Sequence, residues 1–201
     1  MRKCVLSSQG ARRVGASVVD RKELEHAIRA VCDVTGDTEV YVFGSQAILG
    51  QFPNAPDALR QSAEADIAPV HAVGMSTVID AHIGELSQFH QTHGFYVQGV
   101  DIDTPVLPTG WQRRAIKVKN PNTNDRTGWC LEVHDLAVSK LAAFRDKDRD
   151  FVRVLIAEDL INARTLLLRI SQLPTSDRVP AGLRSVVGDW VKGIVKDLLR
   201  G

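Results

Sequence analysis

Apolar residues first recur at helical spacing in Leu24, Ala27, Ile28 and Val31, just behind Asp20, whose short carboxylate suits a helix N-cap. The spacing predicts a helix from Asp20 to the turn pair Gly36-Asp37. The period then changes. Val40-Tyr41-Val42-Phe43 is a β-branched and aromatic run of strand type that stops at Gly44-Ser45, and Ala65 to Val70 is a second such run with Asp66 set inside it. Between them, Gln46 to Gly50 and Asp57 to Ser62 are expected as short helices separated by Pro53 and Pro56. Met75 to Leu86 carries Val78, Ile79, His82, Ile83 and Leu86 on one helical face. The segment bracketed by Gly84 and Gly94 is expected as a loop, and Phe95 to Val100 as a third strand. Ala115 to Lys119 and Trp129 to Val133 are expected as a hairpin across the turn-rich Asn120-Pro121-Asn122-Thr123-Asn124.

From His134 the period is helical almost to the end. Leu136, Leu141, Phe144, Val152 and Leu155 form one stripe across the charged run Arg145 to Asp150, where a turn or kink is expected; Pro174 and Pro180 precede a last amphipathic helix, Leu183 to Leu199, that carries Trp190. Residues 1–19 have no period and are rich in Ser, Gly and Arg, so they are expected to form a flexible leader. Residues 20–133 then make an α/β core and residues 134–201 a helical region that completes its cleft. The fold class is α/β (α+β), a mixed sheet flanked by helices.

Composition narrows the class without naming a function. With 201 residues, 44% hydrophobic and 24% charged, the chain is of globular type and long enough for a core that needs no disulfide or structural metal. It has no apolar run of roughly 18 residues and no signal-peptide core, which excludes a membrane-spanning helix and predicts a cytoplasmic protein. Cys4, Cys32 and Cys130 are odd in number and lack a C-x-x-C, which argues against a disulfide framework or a zinc ribbon. His90 and His93 would lie one turn apart only on a helix, and their segment is expected as a loop.

The net charge of +1 conceals a segregation: +4 over residues 1–29, −9 over 30–110, +4 over 111–170 and +2 over 171–201. An acidic middle between basic flanks suits a site that holds divalent cations beside a polyanion, although unevenly spread solvated faces give the same pattern. Val40 to Val70 sharpens this. A strand that runs through Gly44-Ser45 into a helix presents backbone N–H groups and a hydroxyl to a phosphate, with the bare glycine allowing close approach. Glu64 and Asp66 alternate on the next strand and so share one face. Their mutual repulsion is relieved by a divalent cation, and all-oxygen ligands beside a phosphate favour Mg²⁺ or Mn²⁺. An edge strand with one solvated face is the alternative for this pair.

These residues resemble a known family. Phe43-Gly44-Ser45-Gln46-Ala47 followed by Glu64-Ala65-Asp66-Ile67 is similar to the Gly-Ser plus [DE]-x-[DE] signature of minimal nucleotidyltransferases of the DNA polymerase β superfamily. The stretch His134 to Asp148, with Lys140-Leu141-Ala142-Ala143, Arg145 and Asp148, resembles the Lys-Leu-x-Ala helix of AbiEii-like abortive-infection toxin nucleotidyltransferases. The resemblance spans about residues 40–150. It implies that Gly44 and Ser45 hold the triphosphate of an NTP and that Glu64 and Asp66 hold the metal. It also implies that Lys140 reaches the triphosphate, with Arg145 or Lys147 assisting, and that Asp148 is the later acid of the motif. The set Glu64, Asp66, Lys140 and Asp148 is then catalytic.

Such sites commonly have a third carboxylate on a neighbouring strand, for which Asp101, Asp103 and Glu132 are the candidates. The implied activity is transfer of a nucleoside monophosphate to an RNA 3′ end such as tRNA, or to a protein hydroxyl, in a bacterial toxin that has a separate antitoxin. Three alternatives remain open at this level: an inactive nucleotide- or RNA-binding relative, an antibiotic-type nucleotidyltransferase acting on a small cationic acceptor, and an interaction module built on the helical tail around Trp190.

Overall fold

The computed structural model describes residues 19–198 and 200; residues 1–18, where most of the expected leader falls, lie outside the described residues. Val19, counted with that leader in the sequence, is fully buried in the core. The elements run α1 (Arg21–Thr35), β1 (Glu39–Phe43), α2 (Ile48–Gln51), β2 (Glu64–Pro69), α3 (Ser76–Ile83), α4 (Gln88–His93), β3 (Tyr96–Gly99), β4 (Ile116–Val118) and β5 (Thr127–Cys130). Four helices follow: α5 (Val133–Ala143), α6 (Asp146–Ala157), α7 (Ala163–Ser171) and α8 (Leu183–Leu198). The five strands form one mixed sheet in the order β3-β2-β1-β5-β4. Strand β1 is antiparallel to β2 and parallel to β5; β2 is parallel to β3, and β4 antiparallel to β5. The fold class expected from the sequence is the one observed.

Helix α1 starts where the sequence says it should. Asp20 accepts the Glu23 N–H at 2.8 Å while the Glu23 carboxylate accepts the Asp20 N–H at 2.7 Å, a closed capping box. Leu24, Ala27, Ile28 and Val31 are all fully buried. Ile28 lies so close to Gly128 of β5 that a Cβ there would meet its Cδ1 at 2.4 Å, so α1 covers the face of the sheet that carries Val40 and Val42. Helix α3 covers the same face further along: a Cβ on Gly99 would meet the Ser76 carbonyl oxygen at 2.3 Å. The opposite face carries Tyr41 and Phe43, against which Trp111 packs at ring distances of 4.7 and 5.6 Å.

The turn from α1 into β1 is held by Asp37, 5% exposed, whose carboxylate accepts four backbone N–H groups: Thr38 at 2.7, Glu39 at 3.1, His71 at 2.7 and Ala72 at 3.0 Å. Burial alone would raise its pKa, but the four donors outweigh burial and hold it below its ordinary value near 3.8. A depressed carboxylate adds stability above the unfolded pKa and loses it as pH falls through the folded one. Asp37→Asn should therefore cost about 2 kcal/mol at neutral pH. The gap from the wild-type protein should narrow in acid below about pH 4; denaturant melts across pH 3–7 check both statements.

Several local expectations are corrected. The third helix stops at Gly84 instead of reaching Leu86, which is exposed with φ 64, and His82, although on the helix, is exposed and not on its buried face. The expected loop before Gly94 contains α4, capped by the Ser87 hydroxyl; His93 packs against His26 and Phe89, and His90 against Tyr96. Asp57–Leu59 is a single 3₁₀ turn. Glu132, expected inside a strand, is the N-cap of α5, accepting the His134 and Asp135 N–H groups. Strand β2 is not an edge strand, since it lies between β1 and β3. The last helix, expected from its apolar spacing, is present as α8, which lies against α7 with Trp190 packed on Phe144 at 6.1 Å. No helix among the described residues is long and apolar enough to cross a membrane.

Candidate active-site cleft

Strand β1 ends at Phe43, which pairs with Asp66 across the antiparallel ladder, and the chain turns at Gly44 with φ 62 and ψ −169. That conformation is open to glycine alone, and so is the space. A Cβ on Gly44 would meet Asp66 Oδ2 at 1.8 Å. The backbone then enters the 3₁₀ turn Ser45–Ala47, which runs on into α2. Gln46, fully buried, donates from Nε2 to the Ser62 carbonyl at 2.5 Å and so ties this turn to the loop that leads into Glu64. The apolar period of the sequence does not single out this positioning residue. Its signal was an amide between Gly44-Ser45 and the apolar Ala47-Ile48, a place where a solvated side chain is not expected.

Glu64 and Asp66 project from β2 on one face, half-buried, with apolar Ala65 and Ile67 turned the other way. The Tyr96 hydroxyl, one strand over, donates to Glu64 Oε2 at 3.0 Å. Burial, reinforced by the Glu64 carboxylate beside it, pushes Asp66 up to about 7, against the pull of Lys140 and Lys147. The Tyr96 phenol is likewise pushed up to about 12 by burial and its bond to Glu64. Two carboxylates crowded in this way favour a bound cation or a retained proton.

The basic side of the cleft comes from the break between α5 and α6. The chain reverses at Phe144, φ 51, so the two helices are separate and not one kinked rod. Asp148 is nonetheless on the buried stripe of α6 with Val152, at 1% exposure. It receives Arg145 Nε at 2.6 Å and Nη2 at 3.3 Å, and Lys140 Nζ stands 3.7 Å away. Lys140 also lies over the Phe151 ring at 5.3 Å. Burial lowers the Lys140 pKa, while Asp148 and Asp66 act to raise it. Glu132 and His134 fix the start of α5: His134 Nδ1 donates to Glu132 Oε1 at 2.6 Å, and Nε2 accepts the Asn162 N–H at 2.9 Å.

These pieces line one cleft of about 760 Å³. Ser45, Glu64 and Asp66 stand on one wall and Lys140, Arg145, Lys147 and Asp148 on the other. Gly44 lines an adjoining, more apolar hollow of about 290 Å³ that shares Asp66, Lys140 and Asp148. The third-carboxylate candidates are not there. Asp101 and Asp103 are exposed in the turn after β3, and Glu132 is occupied at the N-terminus of α5. The residue paired with Asp66 on the neighbouring strand is Gln98.

The donor set suits a hard divalent cation: two carboxylates on one strand face, oxygen ligands only, and a glycine bared opposite Asp66. Among the described residues, no group of three or more His, Cys, Asp or Glu side chains is placed to hold a metal ion, so this pair would need phosphate oxygens or water to complete the shell.

No curated protein and no solved structure matches the chain. A family model does match, and its description agrees with the chemistry of this cleft: with residues 22–172 covered, more than half of the chain, the protein belongs to the family described as nucleotidyltransferase of unknown function (DUF6036).

Proposed function

We propose that the cleft transfers a nucleoside monophosphate from an NTP to an acceptor hydroxyl and releases pyrophosphate. The observation that carries this reading is the convergence of Ser45, the Glu64–Asp66 pair and Lys140 on one cleft. Gly44 and Ser45 bind the triphosphate through backbone N–H groups and a hydroxyl. Lys140 adds a point charge, and Arg145 and Lys147 approach from the rim of the same wall. Glu64 and Asp66 hold Mg²⁺ or Mn²⁺, which when bound neutralises charge on the reacting phosphates. The acceptor oxygen forms a bond to the α-phosphorus as the α–β bridging bond breaks, and Asp66 takes the proton of the attacking hydroxyl. Positioning and charge neutralisation dominate such transfers, and this cleft offers both.

The acceptor is an RNA 3′ end such as tRNA, or a protein hydroxyl, and the biology is that of an AbiEii-like toxin with an antitoxin partner in the cytoplasm. The motif Lys140-Leu141-Ala142-Ala143 with Arg145 and Asp148 supports the toxin reading. The test is incubation with each labelled NTP, Mg²⁺ or Mn²⁺, and total bacterial RNA, beside a Glu64→Ala/Asp66→Ala variant. Label should appear on RNA or on protein with the intact pair only. Silence across all NTPs and both metals, or label that persists in the double variant, would sink the reading.

A further inference from the structure

Strand β3 lies beside β2 in parallel register, with Tyr96 opposite Glu64 and Gln98 opposite Asp66. Paired residues on neighbouring strands point to the same face, so Gln98 occupies the place where a third carboxylate would join the pair. Its side chain is exposed, lines the cleft with Glu64 and Asp66, and has no hydrogen-bond partner among the described residues. The other carboxylates on the cleft wall are already engaged: Asp148 with Lys140 and Arg145, and Asp150 with Arg153 at 2.5 Å. Asp80, across β3 from the cleft centre, accepts the Gly99 N–H at 2.7 Å.

We infer that the nucleotide-free cleft holds one divalent cation, not two, and that the lack of a carboxylate at position 98, where Gln98 stands beside Asp66, limits this number; the inference rests on the reading of Glu64 and Asp66 as metal ligands. Two carboxylates balance the charge of one divalent ion. A second ion needs further anionic ligands, and affinity for hard cations follows the number of charged oxygens supplied. The amide of Gln98 offers a neutral oxygen, and Lys140 on the facing wall opposes additional positive charge. A second cation therefore enters only with ligands that the protein lacks, the phosphate oxygens of the nucleotide.

The test is titration of Mn²⁺ into nucleotide-free protein, with free Mn²⁺ read by electron paramagnetic resonance. The wild-type chain should take one Mn²⁺, and Gln98→Ala should do the same within about threefold in affinity. Gln98→Glu, which restores a carboxylate of the same reach, should bind Mn²⁺ about tenfold more tightly or take a second ion. Gln98 is exposed on an edge strand, so both variants should melt like the wild type. Two Mn²⁺ per wild-type chain, or a Gln98→Glu variant that binds as the wild type does, would overturn the inference. A different result bears on the reading beneath it: if Mn²⁺ does not bind, or binds equally to Glu64→Ala/Asp66→Ala, the pair is no metal site at all.

Discussion

Gly44→Ala is expected to lower both stability and transfer, the latter by about 100-fold or more. The backbone at φ 62, ψ −169 lies in a region that L-residues occupy only at a cost of about 1–3 kcal/mol. The added methyl has nowhere to go, since its carbon would overlap Asp66 Oδ2 at 1.8 Å and crowd Cγ at 2.9 Å. Either the turn moves, which displaces Ser45, or the Asp66 carboxylate rotates away from the cleft. Both outcomes spoil the alignment of the phosphate turn with the carboxylate pair. Gly36→Ala is the matched control. Gly36 has φ 71 but nothing within 4 Å of a Cβ, so it should lose about 1–2 kcal/mol of stability and no activity. Thermal melts and the label-transfer assay on the two variants separate the effects. A Gly44→Ala protein with activity equal to that of Gly36→Ala would remove Gly44 from the site.

The same glycine shows why this part of the cleft was legible in the sequence. A strand run, a Gly-Ser turn and an alternating pair of acids are local patterns, each set by backbone geometry within a few residues. Lys140 and Asp148 were legible for a related reason: both sit within one stripe of apolar spacing, and Asp148 keeps its buried place even though the helix breaks at Phe144.

What the sequence hid depends on pairing across the sheet. Asp101 and Asp103 had the correct alternation along their own segment, but alternation says nothing about where a strand ends, and β3 stops at Gly99. Glu132 has strand-type neighbours, yet its carboxylate is more useful to the free N–H groups of α5, which the apolar pattern does not reveal. Gln98 was unreadable as a site residue because only the β2–β3 register brings it beside Asp66. Gln46 was missed because its role is to join two loops 16 residues apart through one buried bond. The expected loop around His90 failed in the opposite sense: a six-residue helix is too short to show a period, and Ser87 and Gly94 alone define its ends.

Asp148→Ala should be the most destabilising single change in the cleft, at about 3 kcal/mol. The carboxylate is 1% exposed and sits between two cations, so its loss leaves Lys140, itself mostly buried, without its ion-pair partner beside Phe151 and with only the field of Asp66 to offset its charge. Arg145 is 59% exposed and can turn to water, which keeps the cost at the low end of the range for broken buried pairs. Lys140→Met should cost much less stability, because Asp148 keeps the two guanidinium bonds from Arg145 and the methionine keeps the packing on Phe151. The ordering should reverse for function. Asp148 lines the cleft but is 1% exposed and engaged by Lys140 and Arg145, so its loss is expected to act through their placement, whereas the Lys140 ammonium is expected to meet the triphosphate directly. Lys140→Met should therefore abolish transfer in a well-folded protein, while Asp148→Asn, which keeps the shape and part of the hydrogen bonding, should retain measurable transfer with a raised KM for NTP. Melting curves and steady-state kinetics on the three variants decide the matter: an Asp148→Asn protein that folds normally but is as inactive as Lys140→Met would place Asp148 among the catalytic residues.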